Sequence, residues 1–312
     1  MARGFQVSAQ IKTLSNDYRD INGRQVAAQM HARTAEEVTS LVAVGWQPRL
    51  VSIRVGVDPA VDLYIRNQER AARKVGIEFE CRNVSAGILE RELRATITSL
   101  NTDPRVTGVI LQRPVPDHLP IEQLQSAIHP LKDVEGMHPA SIGNIVYQNI
   151  DLAPCTAMAA VELLKQTRVS LKGLEVTVIG HSEIVGKPIA FLLMAEGATV
   201  TVCHHMTREV AIHTRRADAV FVAVGQPGLL KGDMLKPGVV VIDIGINQIE
   251  DESGVSRVVG DCDYATCREV AGWITPVPGG VGPVTVAVLM RNTVIAAERL
   301  KAAYSEQLSN QI

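Results

Sequence analysis

Val176-Thr-Val-Ile-Gly180 is an unbroken apolar run that passes directly into His181-Ser182-Glu183-Ile184-Val185-Gly186-Lys187-Pro188. A buried strand, a glycine turn and the first turn of a helix together aim several backbone N–H groups at one point, and such a point attracts a pyrophosphate. Gly180 and Gly186 stand six residues apart instead of following Gly-x-Gly-x-x-Gly, so the spacing departs from the common dinucleotide fingerprint while keeping its logic. Turns of this kind also join strands to helices with no ligand, so the surrounding sequence has to decide. The next apolar run closes on Cys203-His204-His205-Met206-Thr207-Arg208, where an NAD site would place a carboxylate on the ribose hydroxyls, and none is there. His205, Thr207 and Arg208 suit a 2′-phosphate, which favours NADP with NAD as the second choice. Two further runs end in glycine turns, Val222-Ala-Val-Gly225-Gln226-Pro227 and Asp243-Ile-Gly245-Ile246-Asn247, at the sheet edge where ligands of such folds bind. The expected cofactor contacts are therefore Gly180, His181, Ser182, Ile184, Val185, His205, Gly225 and Ile246.

These positions need a scaffold, and the hydrophobic pattern supplies one. Residues Val26–Val44 read as an amphipathic helix, Arg49–Val55 as a strand ending at Gly56, Leu63–Val75 as a helix and Ile77–Cys81 as extended chain. Helix, strand and helix follow at Ile88–Leu100, Val106–Leu111 and Ile121–Ile128, the rhythm of an open parallel sheet. His129–Asn149, rich in Pro, Gly, Asp and Asn, breaks that rhythm and is the expected linker. Thr156 is a plausible N-cap for the helix after it. Strands are expected at Glu175–Ile179, Thr199–Cys203, Ala219–Val224 and Val239–Ile244, and a last helix at Val284–Leu300 that returns to the first domain. The expectation is a two-domain α/β chain. Residues 1–150, with 285–312 packed back on them, form a catalytic domain, and 151–284 form a Rossmann-type doubly wound cofactor domain.

Composition narrows the function classes. A chain of 312 residues that is 46% hydrophobic and 21% charged is ordinary for a globular protein, and only 4% aromatic residues means packing by Val, Ile, Leu and Ala. A net charge of −2 offers no basic stripe for nucleic acid. The apolar runs are strand-length, so no membrane span is expected, and Met1-Ala-Arg-Gly-Phe-Gln6 has no secretory core. Five scattered cysteines without a Cys-x-x-Cys pair argue against a disulfide framework and against zinc, and a reducing cytoplasm fits them. His204, His205, His213, His129 and His138 show no ligand spacing, so no metal is expected.

Several separated segments together resemble the methylenetetrahydrofolate dehydrogenase/methenyltetrahydrofolate cyclohydrolase family across nearly the whole chain. The most specific is Ile274-Thr-Pro-Val-Pro-Gly-Gly-Val-Gly-Pro283; Gly180-x-Ser182-x-Ile184-Val185-Gly186-x-Pro188, Lys132-Asp133-Val134-Glu135-Gly136, Leu111-Gln112-x-Pro114 and Pro154-Cys155-Thr156 support it in order and spacing. The resemblance implies that the Pro/Gly loop borders the folate cleft and the nicotinamide, with Pro278, Gly279 and Gly280 against substrate. It also implies a homodimer. Fixed-φ prolines and permissive glycines suit a stiff backbone held close to a ligand.

The same resemblance places the catalytic positions and exposes four departures. Asp58-Pro-Ala-Val-Asp-Leu-Tyr64-Ile-Arg-Asn-Gln68 is similar to the family's substrate helix, in which a tyrosine is followed four residues later by a lysine on the same face. Tyr64 is present, but Gln68 stands where the lysine would be, and a carboxamide carries no charge and shuttles no proton. Gln112 matches the glutamine that assists the lysine, while Arg113 replaces an apolar neighbour, Glu135 replaces the pterin-binding aspartate and Val61 replaces a small polar residue. Tyr64, Gln68 and Gln112 are the catalytic candidates, and Tyr64 and Glu135 join the Pro/Gly loop as substrate contacts. The expected activity is oxidation of 5,10-methylenetetrahydrofolate with NADP as acceptor, with hydrolysis of the methenyl product weak or lost. Two alternatives are a folate-binding or regulatory paralogue without catalysis and a different NADP-linked dehydrogenase.

Overall fold

The computed structural model describes residues 20–150, 152–250 and 256–309. Of the described residues, Ala27–Cys155 and 285–309 form one compact unit, and Thr156–Val284 with 20–26 form the other.

In the first unit, α1 (Gly23–Ala43, whose first four residues fall in the second unit), β1 (Arg49–Val55), α2 (Pro59–Val75), β2 (Glu78–Val84), α3 (Glu90–Thr102) and β3 (Gly108–Leu111) alternate, and the three strands pair in parallel in the order β2-β1-β3. Strands covered on both faces have to be apolar on both: Val51, Ile53, Val109 and Leu111 pack with Leu93, Ile97 and Leu100 of α3 on one face, and Leu50 and Ile110 are fully buried on the other. α4 (Ile121–Gln125) contributes Leu124 to the same core.

The stretch 129–149 is not a linker. It holds a 3-10 turn at Pro130–Lys132 and α5 (Pro139–Val146), both within the first unit. Its prolines start these turns instead of breaking them, because the first helical position has no N–H bond to lose, and His129 and His138 cap them by accepting from Leu131 N and Ala140 N. Buried Asp133 ties the segment down, accepting from Met137 N, His138 N and Ser141 Oγ at 2.7–3.1 Å.

In the second unit, α6 (Cys155–Gln166), β4 (Glu175–Ile179), α7 (Gly186–Ala195), β5 (Thr199–Cys203), α8 (Val210–Thr214), β6 (Ala219–Val222), β7 (Val240–Asp243), the antiparallel pair β8 (Asn247–Glu250) and β9 (Ser256–Val259), α9 (Tyr264–Val270) and β10 (Trp273–Ile274) precede α10 (Val281–Ser309). The sheet is parallel in the order β10-β7-β6-β4-β5, so the winding direction reverses between β4 and β6, the position at whose carboxyl edge such sheets bind nucleotides. α6 begins at Cys155, which places Thr156 inside the helix and not at its cap; Cys155 N donates to the Glu135 carbonyl at 3.2 Å, one of the first-turn donors met by backbone. α10 is longer than its apolar pattern suggests and, by length and hydropathy, long enough to cross a membrane. Some 72% of that stretch is buried in the protein, as in a core helix. All five cysteines are free, and Cys155, Cys203, Cys262 and Cys267 are buried, packing as small apolar side chains.

Candidate active site

Three elements of the first unit bring Ser52, Gln68 and Gln112 together. Ser52 lies on β1 and Gln112 follows β3, which pairs with β1 through Ile53↔Leu111, so the two side chains come from adjacent strand positions. Gln68 descends from α2 and is fully buried. Gln112 Nε2 donates to Ser52 Oγ and to Gln68 Oε1, both at 2.9 Å. That contact fixes the Gln68 carboxamide, because its oxygen is spent and its Nε2 must face the other way. Nε2 is buried and completes no hydrogen bond of good geometry, although it lies near enough to the Tyr64 hydroxyl to favour the phenolate slightly. An orphaned buried donor costs roughly 1–3 kcal/mol, so it marks a place where a ligand acceptor belongs.

Tyr64 is one helical turn from Gln68 and keeps its proton, since burial above all, then Glu135 and Cys155, push the phenol well above its ordinary range. Glu135 is partly buried, and its carboxyl is pushed up to about 8, chiefly by desolvation and secondarily by Asp133, with Arg113 pulling the other way. Near neutrality it is therefore mostly an uncharged acid. Cys155 has its thiol raised by burial and by Glu135, and it accepts from Asn292 Nδ2 at 3.5 Å, which also donates to Val134 O at 2.9 Å. Arg113 is exposed, joined to Pro114 by a cis peptide, and its guanidinium donates to Gln125 Oε1. It does not replace the absent lysine. The cluster thus presents a phenol, an amide N–H and a neutral carboxyl, suited to hold a polar heterocycle but without a cation to move protons.

Gly136, the residue after Glu135, has φ +71°, and a Cβ there would lie 2.3 Å from the Ala153 carbonyl carbon. This close approach lets Glu135 and the start of α6 share one backbone bond.

In the second unit the turn after β4 has the geometry of a phosphate cradle. Gly180 has φ +112°, a Cβ on it would meet Ala223 O at 2.2 Å, and a Cβ on Gly186 would meet Gly180 O at 2.0 Å. Only glycine fits at either position, and the closeness brings the N-terminus of α7 onto the end of β4. His181, Ser182 and Ile184 are exposed on this turn and Val185 is half-buried, open to a ligand along the edge. Gly225 (φ +68°) and exposed Ile246 follow β6 and β7 at the same edge. Pro278, Gly279 and Gly280 form a tight turn after β10, with a cis peptide at Val277-Pro278, φ +115° at Gly279 and Gly280 against Pro276 O and Gly23.

Two carboxylates outside the expected site residues, Asp243 and Asp261, organise this edge. Asp261 Oδ2 accepts from Val224 N (2.7 Å) and Gly225 N (3.0 Å), and its Oδ1 from Asn247 Nδ2 (2.8 Å). Asp243 accepts from Gly245 N, Asp261 N and Cys262 N at 2.9–3.0 Å. No local motif signals either residue, because their partners come from loops that only the fold brings together. Replacing buried Asp261 by alanine leaves the Val224 and Gly225 N–H groups without their acceptor and Asn247 Nδ2 with only Gly260 O, and should cost about 1–3 kcal/mol in urea unfolding. NADP affinity should fall with it, by about ten-fold or more as the loops after β6 and β7 loosen. An Asp261→Ala protein with unchanged stability and unchanged NADP titration would remove this residue from the site.

The structure also draws together histidines that looked scattered. Ile179 pairs with Cys203, so the residues just past them are neighbours, and the ring centroids of His181 and His204 are 4.7 Å apart, those of His204 and His205 5.8 Å. A side-chain nitrogen of each of the three lies within 4.8 Å of the others, close enough for a shared ligand. Their separation along the chain hid them. His129, His138 and His213 do not join them.

Both halves of this arrangement match known proteins. Residues 21–135 match the model for the catalytic domain of tetrahydrofolate dehydrogenase/cyclohydrolase, and residues 154–301 match that for its NAD(P)-binding domain. The chain belongs to the tetrahydrofolate dehydrogenase/cyclohydrolase family. Among family members, the bifunctional protein FolD 2 of Mesorhizobium japonicum is 61% identical over 94% of this chain and 95% of its own, and the bifunctional protein FolD of Rhodobacter capsulatus is 58% identical over 92% and 96%. The family fold is shared too. The bifunctional enzyme FolD of Campylobacter jejuni superposes with a TM-score of 0.86 at 38% identity, covering 89% of this chain and 98% of that one. The Trypanosoma brucei family enzyme, solved with NADP cofactor and an inhibitor, gives 0.85 at 36% identity over 90% and 97%.

Proposed function

We propose that this family member oxidises 5,10-methylenetetrahydrofolate to 5,10-methenyltetrahydrofolate with NADP, and that it hydrolyses the methenyl product to 10-formyltetrahydrofolate weakly or not at all. The observation that carries the second half is Gln68, whose oxygen is held by Gln112 and whose amide is an uncharged donor at the position where the family resemblance calls for a lysine.

The glycine cradle at Gly180 and Gly186, with Ser182, Ile184, Val185, His181, His205, Gly225 and Ile246 around it, fits a dinucleotide, since side chains are excluded where a pyrophosphate must approach the backbone. When bound, NADP accepts the hydride that leaves the methylene carbon. This chain's residues have the tasks of holding and orienting. Tyr64 and the Gln68 amide donate to acceptors of the folate, Glu135 takes the pterin N–H groups once ionised, and Pro278, Gly279 and Gly280 stiffen the loop beside substrate. Orientation suffices for hydride transfer, whereas attack of water on the methenyl carbon also needs proton management, for which general acid–base groups contribute on the order of 10²–10⁴ in rate. By resemblance to its family the protein works as a homodimer, and its five scattered free cysteines suit a reducing cytoplasm.

A single spectrophotometric experiment tests the reading. Purified protein is given methylenetetrahydrofolate with NADP and, separately, with NAD, and the methenyl absorbance is then followed for hydrolysis in the same cuvette. The expected result is NADP-linked formation of methenyltetrahydrofolate followed by decay near the uncatalysed rate. Enzymatic hydrolysis overturns the second half, and NADP binding without turnover favours a folate-binding paralogue.

A further inference from the structure

We propose that Ser52 is a positioning residue for the oxidation step: its hydroxyl pins the Gln112 carboxamide, which in turn holds Gln68 so that the Gln68 N–H is presented to the folate. The inference rests on the dehydrogenase reading above and adds a residue that acts only through its neighbours. Three observations carry it.

The first is the cost of a hydroxyl at this place. Ser52 is fully buried on β1, and Leu50, two residues before it on the same face, and Ile110, its partner on β3, are fully buried hydrocarbons. A hydroxyl there is desolvated and needs a polar partner, whereas packing alone would be served by alanine or valine. The partner it finds is Gln112. Residues alternate in facing, so Gln112, two positions beyond Ile110, comes to the side of the sheet that carries Ser52, and its backbone N–H is held by Ile53 O at 3.0 Å.

The second is the geometry at Gln112 Nε2. This nitrogen has two protons and gives one to Ser52 Oγ and one to Gln68 Oε1, each at 2.9 Å. One bond would leave the carboxamide free to turn about it. Two bonds from the same nitrogen, to acceptors on a strand and on a helix, fix the plane of the amide and with it the point at which Gln68 Oε1 is held. The third is the difference in stiffness along the chain of contacts. β1 is the middle strand of its sheet, and Ser52 is paired on one side with Cys81 and on the other with Ile110. Serine places its oxygen with a single torsion, while Gln112 and Gln68 each have three to freeze. The short side chain on the rigid strand is thus the anchor, and the two long ones take their order from it. At the far end stands Gln68 Nε2, buried and without a bond of good geometry, whose direction depends on that anchor.

Steady-state oxidation of methylenetetrahydrofolate by the intact protein at saturating NADP tests the proposal. Ser52→Ala should lower kcat by about ten-fold or more, the consequence of a slightly misplaced orienting group. The KM for methylenetetrahydrofolate should move by less than about three-fold, and Ser52→Thr, which keeps the hydroxyl, should stay within about three-fold of wild type in kcat. Ser52→Cys, of similar volume with a weak acceptor, replaces the alanine variant if that one does not fold. In a Gln68→Met background the same Ser52→Ala change should cost less than about two-fold, since the group it orients is gone. A Ser52→Ala kcat equal to wild type, with only the melting temperature lowered, overturns the proposal and assigns Ser52 to packing. A loss that persists undiminished beside Gln68→Met overturns it too. Wild-type protein that binds methylenetetrahydrofolate without turnover defeats the dehydrogenase reading, and the dissociation constant then decides: weakening by about ten-fold in Ser52→Ala sustains the positioning role, and an unchanged value overturns it.

Discussion

Gln68→Lys should raise methenyltetrahydrofolate hydrolysis by on the order of 10²–10⁴, the usual contribution of a placed acid–base group, while the dehydrogenase kcat changes by less than about ten-fold. The site is built to receive the new group. Gln112 Nε2 now donates to Gln68 Oε1, and rotating the Gln112 amide would offer its oxygen to an ammonium without moving β3, which it follows. Position 68 is fully buried, so desolvation would draw the ammonium down from the usual lysine range toward neutrality, where proton transfer is most effective. The same burial makes the variant less stable, by about 1–3 kcal/mol, because Arg113 is held by Gln125 and the nearby carboxyl, Glu135, is mostly uncharged. Gln68→Met, which fills the space without a proton, is the control and should gain nothing. If the lysine variant folds, oxidises methylenetetrahydrofolate and still fails to hydrolyse the methenyl product, then Glu135 or Val61, and not Gln68, limits the second reaction.

How much of this was legible in the sequence depends on how far apart the partners stand. The strand at Glu175–Ile179, its glycine turn and the Pro/Gly loop read correctly because each is a local motif, with apolar run, turn and helix start contiguous in the chain. The fold class follows from the same alternation. The segment 129–149 was misleading because Pro and Gly punctuate loops and also start short helices, and the histidine caps at 129 and 138 carry no recognised signal. Ser52 was invisible as a site residue, since an isolated serine in an apolar strand gains meaning only when β3 is set beside it and Gln112 reaches across. Asp243 and Asp261 and the three imidazoles were hidden for the same reason. Sequence periodicity places residues on faces, while pairing register decides which strand ends become neighbours.

Glu135→Gln should make the protein more stable than wild type at pH 9 and not at pH 4, an inverted outcome for removal of a pocket carboxylate. In the folded protein this acid is raised from its ordinary range near 4.5 to about 8, so the folded state holds the proton more tightly than the unfolded chain. The stability linked to that proton is fully present below the unfolded value and is lost as pH rises through the folded one. A glutamine is neutral throughout and loses nothing. Because Glu135 is partly exposed, a discounted difference of about 1–3 kcal/mol is expected between the two ends of the range, seen as a Tm advantage for the variant that grows from pH 5 to pH 9. Catalysis should move the other way. Only the ionised carboxylate accepts from two pterin N–H groups, so the wild-type KM for methylenetetrahydrofolate should fall as pH rises toward 9, whereas the variant should lose about 10²-fold in kcat/KM and show no such trend. A Tm difference that stays constant across this range would mean that Glu135 is ionised in the free protein, and its role would then be that of a permanently charged anchor. The two slopes must appear together, because the proton that stabilises the empty pocket is the proton that substrate has to displace.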